Sequence, residues 1–372
     1  MTFPVVGSNI PSFYPISNSL RVNPSDNPTL IRNIGSGGNQ NEWTLSFWIK
    51  IGATTTSANV NTILTADTGA TTAIQYEGNT FRFAWSGANL QPNALIRDQS
   101  AWYHYVISAD VTNATASNRI KIYINGIDQD DNGYSIDNRS GLSSNNLKIF
   151  GNFQHTFFTN PAAGTRDYDG YIAEFHAVEG QTLEPTDFGE FDEDSGIWKP
   201  KQYAGTYGTN GFYLKFNNAG NMGEDSSGND NTWTPTNLSG TTDVTTDTPT
   251  NNFCTLNAIV EGQSNVTYSE GNLKAGESAG DLPSAKGTIA VSSGKWYWEG
   301  LLLGGNGAIA IGTDDMDASS YPHNSSTSGD GWTYHYDGSG RTSTGSDITI
   351  GSTYTTNDII GVALDMDNGT CK

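Results

Sequence analysis

Hydrophobic and polar residues alternate with a period of two along most of the chain. Bulky side chains occupy every second position in Trp43–Ile49 and again in Thr80–Trp85. Successive side chains of a strand point to opposite faces, so this alternation predicts half-buried β-strands. Further strand candidates, separated by clusters of Gly, Asn, Asp and Ser, are residues 102–108, 119–124, 146–150 and 168–178. Many short strands at regular spacing predict an all-β sandwich or barrel.

Composition narrows the class of protein. Of the 372 residues, only 15% are charged, and the net charge is −21 with a sequence pI of about 4.3. Nucleic-acid binding needs clustered Lys and Arg, so this acidic balance disfavours it. No apolar run is long enough to cross a membrane. Cys254 and Cys371 cannot build a disulfide framework and are predicted to be free thiols.

The first half of the chain resembles a known type of domain. The segments EWTLSFWIKIG (42–52), WYHYVI (102–107), IKIYINGI (120–127) and YDGYIAEFHAVEGQTLEPTDFGEF (168–191) occur in the order typical of a laminin-G-like or concanavalin-A-like jelly roll. The resemblance implies one sandwich over residues 1–191, with Asn125-Gly126 as a hairpin turn. Large aromatic residues such as Trp43 and Phe47 are then expected in its core.

The amino-acid composition changes after Phe191. Residues 192–252 are rich in Gly, Asn, Thr and Pro around one strand candidate, Phe212–Phe216, and they are interpreted as a connector. The segment GEDSSGNDNTW (223–233) resembles a turn that opens laminin-G-like domains. The connector strand could cap the first sandwich or belong to the second domain, and the sequence leaves both open.

Residues 253–372 form a second predicted domain. The segments GKWYWEGLLL (294–303), GAIAIGTDD (307–315), GWTYHYDGSG (331–340) and NDIIGVALDMDNGT (357–370) resemble, in that order, a SPRY β-sandwich. Ile359–Leu364 leads into an Asn368-Gly369 turn, which predicts a hairpin whose returning strand is missing. We therefore expect this domain to be incomplete at its C-terminus and the natural protein to be longer.

The two domains in this order resemble structural proteins of marine bacteriophages that form tail fibres or other appendages. The resemblance implies a virion protein, exposed on the particle surface on the tail, collar or capsid, with the first sandwich nearest the particle. Other virion proteins, further copies of the chain as a trimer, and host surface glycans are the implied partners. The alternative is a glycan-binding adhesin module of a cell-surface or secreted protein.

Loops carry the binding sites of sandwich proteins, and this rule selects the glycan-binding candidates. The competing interpretation is that each of these side chains is buried or merely exposed. The candidates in the first and second domains are Tyr76, Trp85, Asn89, Tyr321, His323 and Trp332.

One loop has part of a calcium-binding pattern. Asp128, Asp130 and Asn132 precede Gly133 at the spacing of the first half of an EF-hand loop. The twelfth position, which should supply a bidentate glutamate, is Arg139, so a complete EF-hand is excluded. Calcium in a looser site remains a prediction, and no other cofactor is expected.

Catalysis has one candidate, the alternating carboxylates Glu190, Asp192 and Asp194. On a strand they would share a face, as in jelly-roll glycoside hydrolases, where two carboxylates perform the reaction. The segment follows the closing strand and lies between glycines, so an acidic turn is the favoured interpretation. A glycoside hydrolase is the third alternative. The five histidines show no zinc-binding spacing, and we do not expect an enzyme.

Overall fold

The computed structural model describes residues 14–52, 60–69, 71–143, 146–163, 167–259, 266–277, 284–313, 331–342 and 347–372. These residues fall into two compact units. The first reaches to Phe253 and includes Ser269–Gly271, and the second comprises Cys254–Tyr268 and Asn272–Lys372. The described elements are β-strands and four short 3₁₀ helices, Pro24–Asp26, Ala116–Asn118, Arg139–Gly141 and Pro185–Asp187. The all-β prediction is therefore confirmed. Of these helices, none has the length and apolar character needed to cross a membrane.

The first unit contains the following strands: β1 (Ser19–Val22), β2 (Thr29–Asn33), β3 (Glu42–Ile51), β4 (Val60–Ala66), β5 (Thr72–Glu77), β6 (Thr80–Trp85), β7 (Ala88–Pro92), β8 (Tyr103–Asp110), β9 (Ile120–Ile124), β10 (Ile127–Asp128), β11 (Tyr134–Asp137), β12 (Gln154–Phe157), β13 (Gly170–Glu179), β14 (Gly189–Phe191), β15 (Trp198–Pro200), β16 (Phe212–Leu214), β17 (Thr234–Thr236) and β18 (Val244–Thr245).

Most of these strands form two antiparallel sheets. Sheet A has the order β10-β9-β8-β3-β13-β1-β18, with β16 also paired to β13. Sheet B has the order β11-β7-β6-β5-β4-β12-β2-β17. β14 and β15 form a separate hairpin. Because β1 lies in sheet A, β2 in sheet B and β3 in sheet A again, the chain crosses between the sheets from its start, as in a jelly roll.

Aromatic side chains fill the space between the sheets. The ring of Phe47 on β3 stacks on Phe175 of β13, with centroids 5.1 Å apart, and on Tyr105 of β8 at 5.7 Å. Phe81 of sheet B lies 4.3 Å from Tyr105. All four rings are fully buried. Each fully buried aromatic side chain contributes roughly 1.5–3 kcal/mol relative to an exposed one, so the alternation in the sequence accounts for the sandwich.

The predicted connector is part of this unit. β16 pairs with β13, β17 with β2, and β18 with β1. Trp233, which precedes β17, is fully buried with its ring 4.7 Å from Phe157 and 5.0 Å from Phe212. Of the two possibilities left open by the sequence, the strand Phe212–Leu214 belongs to the first unit. Residues 192–252 therefore supply strands and core side chains to the first sandwich.

The Asn125-Gly126 hairpin was correctly predicted. Asn125 and Gly126 have φ angles of 48° and 79°, and they join the paired strands β9 and β10. Two successive positive φ angles define the turn that matches the twist of a two-residue hairpin. Gly126 also lies against the indole of Trp198, where a Cβ atom would come within 2.5 Å of the ring.

The second unit contains β19 (Val266–Ser269), β20 (Lys274–Glu277), β21 (Lys295–Leu301), β22 (Ala308–Gly312), β23 (Gly331–His335), β24 (Ser339–Thr342), β25 (Asp347–Thr349), β26 (Ile359–Asp365) and β27 (Thr370–Cys371). They form three sheets, β19-β20, β21-β26-β27 and β22-β23-β24-β25. Tyr297 and Ile359 of the second of these sheets are 64% and 62% exposed. The SPRY-like sandwich stays a prediction.

The strand expected to lack a partner is paired. β26 aligns with β21 over seven residues, from Lys295 opposite Asp365 to Leu301 opposite Ile359. After the turn, Cys371 returns opposite Leu364. The expectation of an unpaired run was wrong because the partner strand precedes β26 by about sixty positions, beyond the reach of a local hairpin signal. Cys254 and Cys371 are free and exposed, as predicted.

Candidate functional site

Two of the predicted glycan-binding residues lie in the core of the sandwich. Tyr76 and Trp85 are 1% and 2% exposed. The hydroxyl of Tyr76 donates a hydrogen bond to the carbonyl oxygen of Ile96 at 2.9 Å, and burial raises the pKa of this phenol. Both side chains occupy inward-facing positions, Tyr76 on β5 and Trp85 on β6. The prediction that they contact a glycan does not agree with this burial.

Two further candidates, Asn89 and Trp332, lie on strands of the first and the second unit, respectively. Asn89 is half-buried on β7, with its backbone N–H accepted by the side-chain oxygen of Asn138 at 3.0 Å. Trp332 belongs to β23 of the second unit and is 51% exposed. Tyr321 and His323 lie outside the described residues. Glycan contact by Asn89 or Trp332 stays a prediction.

Cations hold the carboxylates of the proposed calcium loop. Lys121 Nζ lies 2.7 Å from Asp128 Oδ2 and 3.2 Å from Asp130 Oδ2, and an Arg139 nitrogen lies 2.8 Å from Asp130 Oδ1. The Asn132 side chain donates a hydrogen bond to the Gln129 side-chain oxygen at 3.4 Å. A calcium ion would have to displace these cations. In the part of the chain that the structure covers, no group of three His, Cys, Asp or Glu residues could hold a metal ion.

The carboxylates considered for hydrolysis lie in the exposed β14-β15 hairpin. Lys199 Nζ is 3.3 Å from Glu190 Oε1 and 3.2 Å from Asp192 Oδ2. Asp192 also accepts hydrogen bonds from the backbone and hydroxyl of Ser195, which lower its pKa to about 2. Asp194 follows in the turn, outside the strand. The alternation that would have placed three carboxylates on one face ends at Phe191.

A different surface carries free polar side chains. An open groove of about 600 Å³ runs beside the β2-β17 pair and is lined by Ile31, Arg32, Asn33, Asp230, Asn231, Thr232, Thr234 and Thr236. Asn33, Asp230 and the three threonines are exposed. In the hydrogen bonds of the described residues, the side chains of Asn33, Asp230, Thr234 and Thr236 are not used. These amide, carboxylate and hydroxyl groups can donate to and accept from a ligand.

Arg32 forms the fixed side of the groove. One guanidinium nitrogen donates to the carbonyl oxygen of Asn210 at 2.9 Å, and the other donates to the side-chain oxygen of Asn231. The guanidinium also lies 6.0 Å from the ring centroid of Phe212. Burial lowers the pKa of Arg32, although the neighbouring carboxylate of Asp225 opposes that shift. The side chain is therefore held in place.

The turn from Asp225 to Asn231 positions the opposite side. Asp225 Oδ1 accepts the backbone N–H groups of Tyr213 and Ser227 at 2.8 and 2.9 Å, and Oδ2 accepts that of Asn231 at 2.8 Å. Asp and Asn side chains stabilise turns by such bonds to nearby backbone groups. Asp230, with φ of 57°, is thereby directed to the surface next to the groove.

Residues 24–186 match the sequence profile of a family described as the concanavalin A-like lectin/glucanases superfamily. The two packed sheets described above agree with that match. This segment is similar to laminin-G/concanavalin-A-like domains. A comparison with curated proteins found no match.

Solved structures similar to this chain come from several sources. One is a candidate carbohydrate-binding protein from Bacteroides ovatus ATCC 8483, with 14% identity, a TM-score of 0.39 and coverage of 62% of this chain and 60% of that one. Another is the heptameric SAP-like pentraxin of Limulus polyphemus, with 13% identity, a TM-score of 0.33 and coverage of 46% and 79%. Domain 4 of a GH43 extracellular arabinanase from Geobacillus stearothermophilus, in complex with arabinotriose, has 21% identity, a TM-score of 0.28 and coverage of 40% and 65%. The chain thus spans 60% of the first structure's length.

The groove of the laminin-G-like domain was missed by the sequence analysis. Its two sides, Asn33 and Thr234, are about two hundred positions apart, and they meet only because β17 pairs with β2. No motif links them in sequence. The one available signal was the Asp-Ser-Ser-Gly-Asn turn that begins at Asp225, which was noted but not connected to a site.

Proposed function

We propose that the first unit binds carbohydrate and that the groove between β2 and the Asp230–Thr236 segment is the binding site. The observation that carries this proposal is the set of exposed side chains with no hydrogen-bond partner among the described residues: Asn33, Asp230, Thr234 and Thr236. A sugar offers adjacent hydroxyl groups that both donate and accept. The match of residues 24–186 to a lectin and glucanase superfamily supports the same class of ligand.

The groove suits a neutral or weakly charged sugar. Both hydrogen bonds of the Arg32 guanidinium point to protein oxygens, so this cation is already engaged. Asp230 would repel an anionic ligand, and the chain as a whole carries a net charge of −21. Of the lining residues that the structure describes, none is aromatic, so hydrogen bonds must supply the affinity. Such bonds contribute about 0.5–1.5 kcal/mol each, which implies weak binding per site.

Glycan-array binding by the purified protein tests the proposal. For a glycan that binds, Asn33→Ala and Asp230→Ala should each lower the affinity about threefold to tenfold, since each removes one or two hydrogen bonds. Asn89→Ala is the matched control, because Asn89 lies on β7, which four intervening strands separate from β2 in sheet B. A loss of binding in Asn89→Ala with none in the groove variants would assign the site to β7 instead.

We also propose, on the order of the sequence segments, that the chain is a bacteriophage appendage protein in which this unit contributes to host attachment. Its partners would then be other virion proteins and further copies of the chain as a trimer. Peptides of this chain in purified virions, together with immunogold labelling on the particle, would support this assignment. Their absence from the particle would favour the adhesin alternative.

We also propose that the carboxylates of the β14-β15 hairpin do not catalyse hydrolysis. Glu190 and Asp192 share the cation of Lys199, and the β14-β15 pair belongs to neither main sheet. Retaining hydrolysis needs two carboxyl groups on a rigid scaffold about 5 Å apart. Hydrolysis of a bound glycan that is abolished by Glu190→Gln would contradict this view.

A further inference from the structure

A buried lysine on sheet A touches an aspartate and an asparagine of the same chain. Lys50 on β3 is fully buried. Its Nζ atom lies 2.9 Å from Asp247 Oδ2, 2.8 Å from Asn252 Oδ1 and 2.7 Å from the carbonyl oxygen of Phe253. Tyr171 lies beside it, with the ring centroid 5.7 Å from Nζ. An amine, a carboxylate and a carboxamide thus meet at a single point.

The carboxylate is buried and oriented. Asp247 is 4% exposed, and its Oδ1 atom accepts hydrogen bonds from the Trp102 indole at 3.0 Å and from the backbone N–H of Phe253 at 3.3 Å. Its other oxygen, Oδ2, lies 2.9 Å from Lys50 Nζ. A buried ion pair carries a desolvation cost, which transfer of a proton from the ammonium to the carboxylate removes.

The carboxamide is oriented as well. Asn252 Nδ2 donates to the carbonyl oxygen of Ser100 at 2.7 Å, so its oxygen faces Lys50 and its nitrogen faces away. Asn252 is an exposed residue. The Lys50 amine thus lies on the oxygen side of the carboxamide, away from its nitrogen.

We propose that Lys50 and Asn252 form an intramolecular isopeptide bond, with Asp247 as the proton carrier. The Lys50 ammonium gives a proton to Asp247, and the neutral amine then attacks Cγ of Asn252. The new bond joins Nζ to Cγ, and the bond from Cγ to Nδ2 breaks. Two protons from Nζ, one of them by way of Asp247, leave with Nδ2 as ammonium. No oxidant or reductant is needed, and the new amide N–H replaces the ammonium as the donor to Asp247.

Proximity favours the reaction between the Lys50 amine and the Asn252 carboxamide. Reacting groups held in contact gain effective molarities that free amines and amides never reach. A lysine in an apolar, water-poor setting is also the form of lysine that acts as a nucleophile. Lys50 is fully buried beside the ring of Tyr171, and the indole of Trp102 lies against Asp247. The linkage would join the central strand β3 covalently to the last residues of the first unit.

Intact-mass measurement and a tryptic map of the folded, full-length protein test the proposal. The wild-type mass should be lower than the sequence mass by one NH₃. Trypsin should fail to cleave after Lys50, and the map should contain one branched peptide that joins residues 33–82 to residues 216–274. The map is needed because an Asn-Gly pair such as Asn125-Gly126 can also lose ammonia.

Lys50→Arg is the matched control, since arginine keeps the positive charge beside Asp247 but does not form the amide. It should show the full mass and only linear peptides, as should a folded Asp247→Asn variant. A folded wild-type protein, verified by circular dichroism, that has the full mass and is cleaved after Lys50 would overturn the proposal. A link from Lys50 to Asp247 with loss of water would overturn the assignment to Asn252.

Discussion

The indole of Trp198 donates a hydrogen bond to Nδ1 of His104 at 3.0 Å, and the two rings stack with centroids 5.9 Å apart. An indole nitrogen is only a donor, so Nδ1 of His104 must be unprotonated. The remaining ring nitrogen, Nε2, carries the proton and lies 2.8 Å from the hydroxyl of Ser46. The contact therefore fixes His104 as the neutral tautomer with its proton on Nε2.

We expect this histidine to make folding sensitive to acid. Burial lowers the pKa of His104 from 6.5 to about 3. Below pH 6.5 the unfolded chain takes up a proton that the folded protein refuses, so the free energy of unfolding falls as the pH drops from 6.5 towards 3. The shift corresponds to about 4 kcal/mol over that window. Urea unfolding at pH 7, 5 and 4 measures the loss.

The variant His104→Gln separates this effect from acid titration elsewhere. Its side chain can still accept from Trp198 but does not titrate. It should be less stable than the wild type at pH 7 and lose less stability on acidification. Parallel pH profiles for the two proteins would contradict the assignment.

Removal of the hydroxyl group is expected to have opposite effects on protein stability at Tyr213 and at Tyr105. Tyr213 donates a hydrogen bond to the buried carboxylate of Glu174, a residue held at φ of 50° in the bulge of β13. Tyr213→Phe should cost about 1.5–3 kcal/mol, since a bond to a charged group is lost. Thermal and urea unfolding measure the change.

The hydroxyl of Tyr105 is buried and has no hydrogen-bond partner among the described atoms. Tyr105→Phe removes an unsatisfied polar group and should leave stability unchanged or raise it by about 1 kcal/mol. Tyr105→Phe is therefore the control for Tyr213→Phe, because each variant loses one phenol hydroxyl group. Equal destabilisation by both variants would show that the Tyr213 bond contributes nothing specific.

Alanine variants of Gly126 and Gly87 separate the energetic cost of backbone strain from that of steric contact. Both have positive φ angles in hairpin turns, 79° and 83°, but a Cβ atom on Gly87 meets nothing within 4 Å, whereas one on Gly126 meets the Trp198 ring. Gly87→Ala should cost about 1–2 kcal/mol from the left-handed conformation alone. Gly126→Ala should cost roughly 1–3 kcal/mol more, because the indole must move. Urea unfolding of both variants provides the comparison.

Calcium binding at Asp128, Asp130 and Asn132 would compete with Lys121. If the ion binds there, Lys121→Gln removes the competing cation and should increase the rise in melting temperature produced by added CaCl₂ relative to EDTA. Asp128→Asn in the Lys121→Gln background is the control, and it should abolish the increase. The absence of any calcium-dependent shift in the wild type and in Lys121→Gln would exclude this loop as a site.

The fold was predictable from the sequence where a single strand shows its own alternation of hydrophobic and polar residues. The alternation around Trp43 and Phe47 placed both residues correctly in the core. The same rule applies to Trp85, two positions after Phe83 on β6, and its assignment to a loop overlooked a pattern that was present. Sequence alone did not place β17 beside β2, because short polar strands such as Thr234–Thr236 owe their position to Trp233 and the Asp225 turn rather than to their own hydrophobicity.

The candidate site was less predictable than the fold for a related reason. Exposed polar residues such as Asn33 and Thr236 are common on any β protein, and only their convergence distinguishes them. Which polar residues converge depends on the order of the strands in the sheet, and local sequence patterns do not determine that order. Two of the aromatic residues considered as glycan contacts, Tyr76 and Trp85, lie in the core instead, because burial of their rings stabilises the sandwich.

The contribution of Trp233 to the core determines which fragment of the chain can be handled as a module. A recombinant fragment limited to the matched segment 24–186 would leave Phe157 and Phe175 without the rings of Trp233 and Phe212 that cover them. Such a fragment should precipitate or bind hydrophobic dyes. Fusion, display and labelling designs should instead retain the chain through Phe253, where the continuous part of the first unit ends.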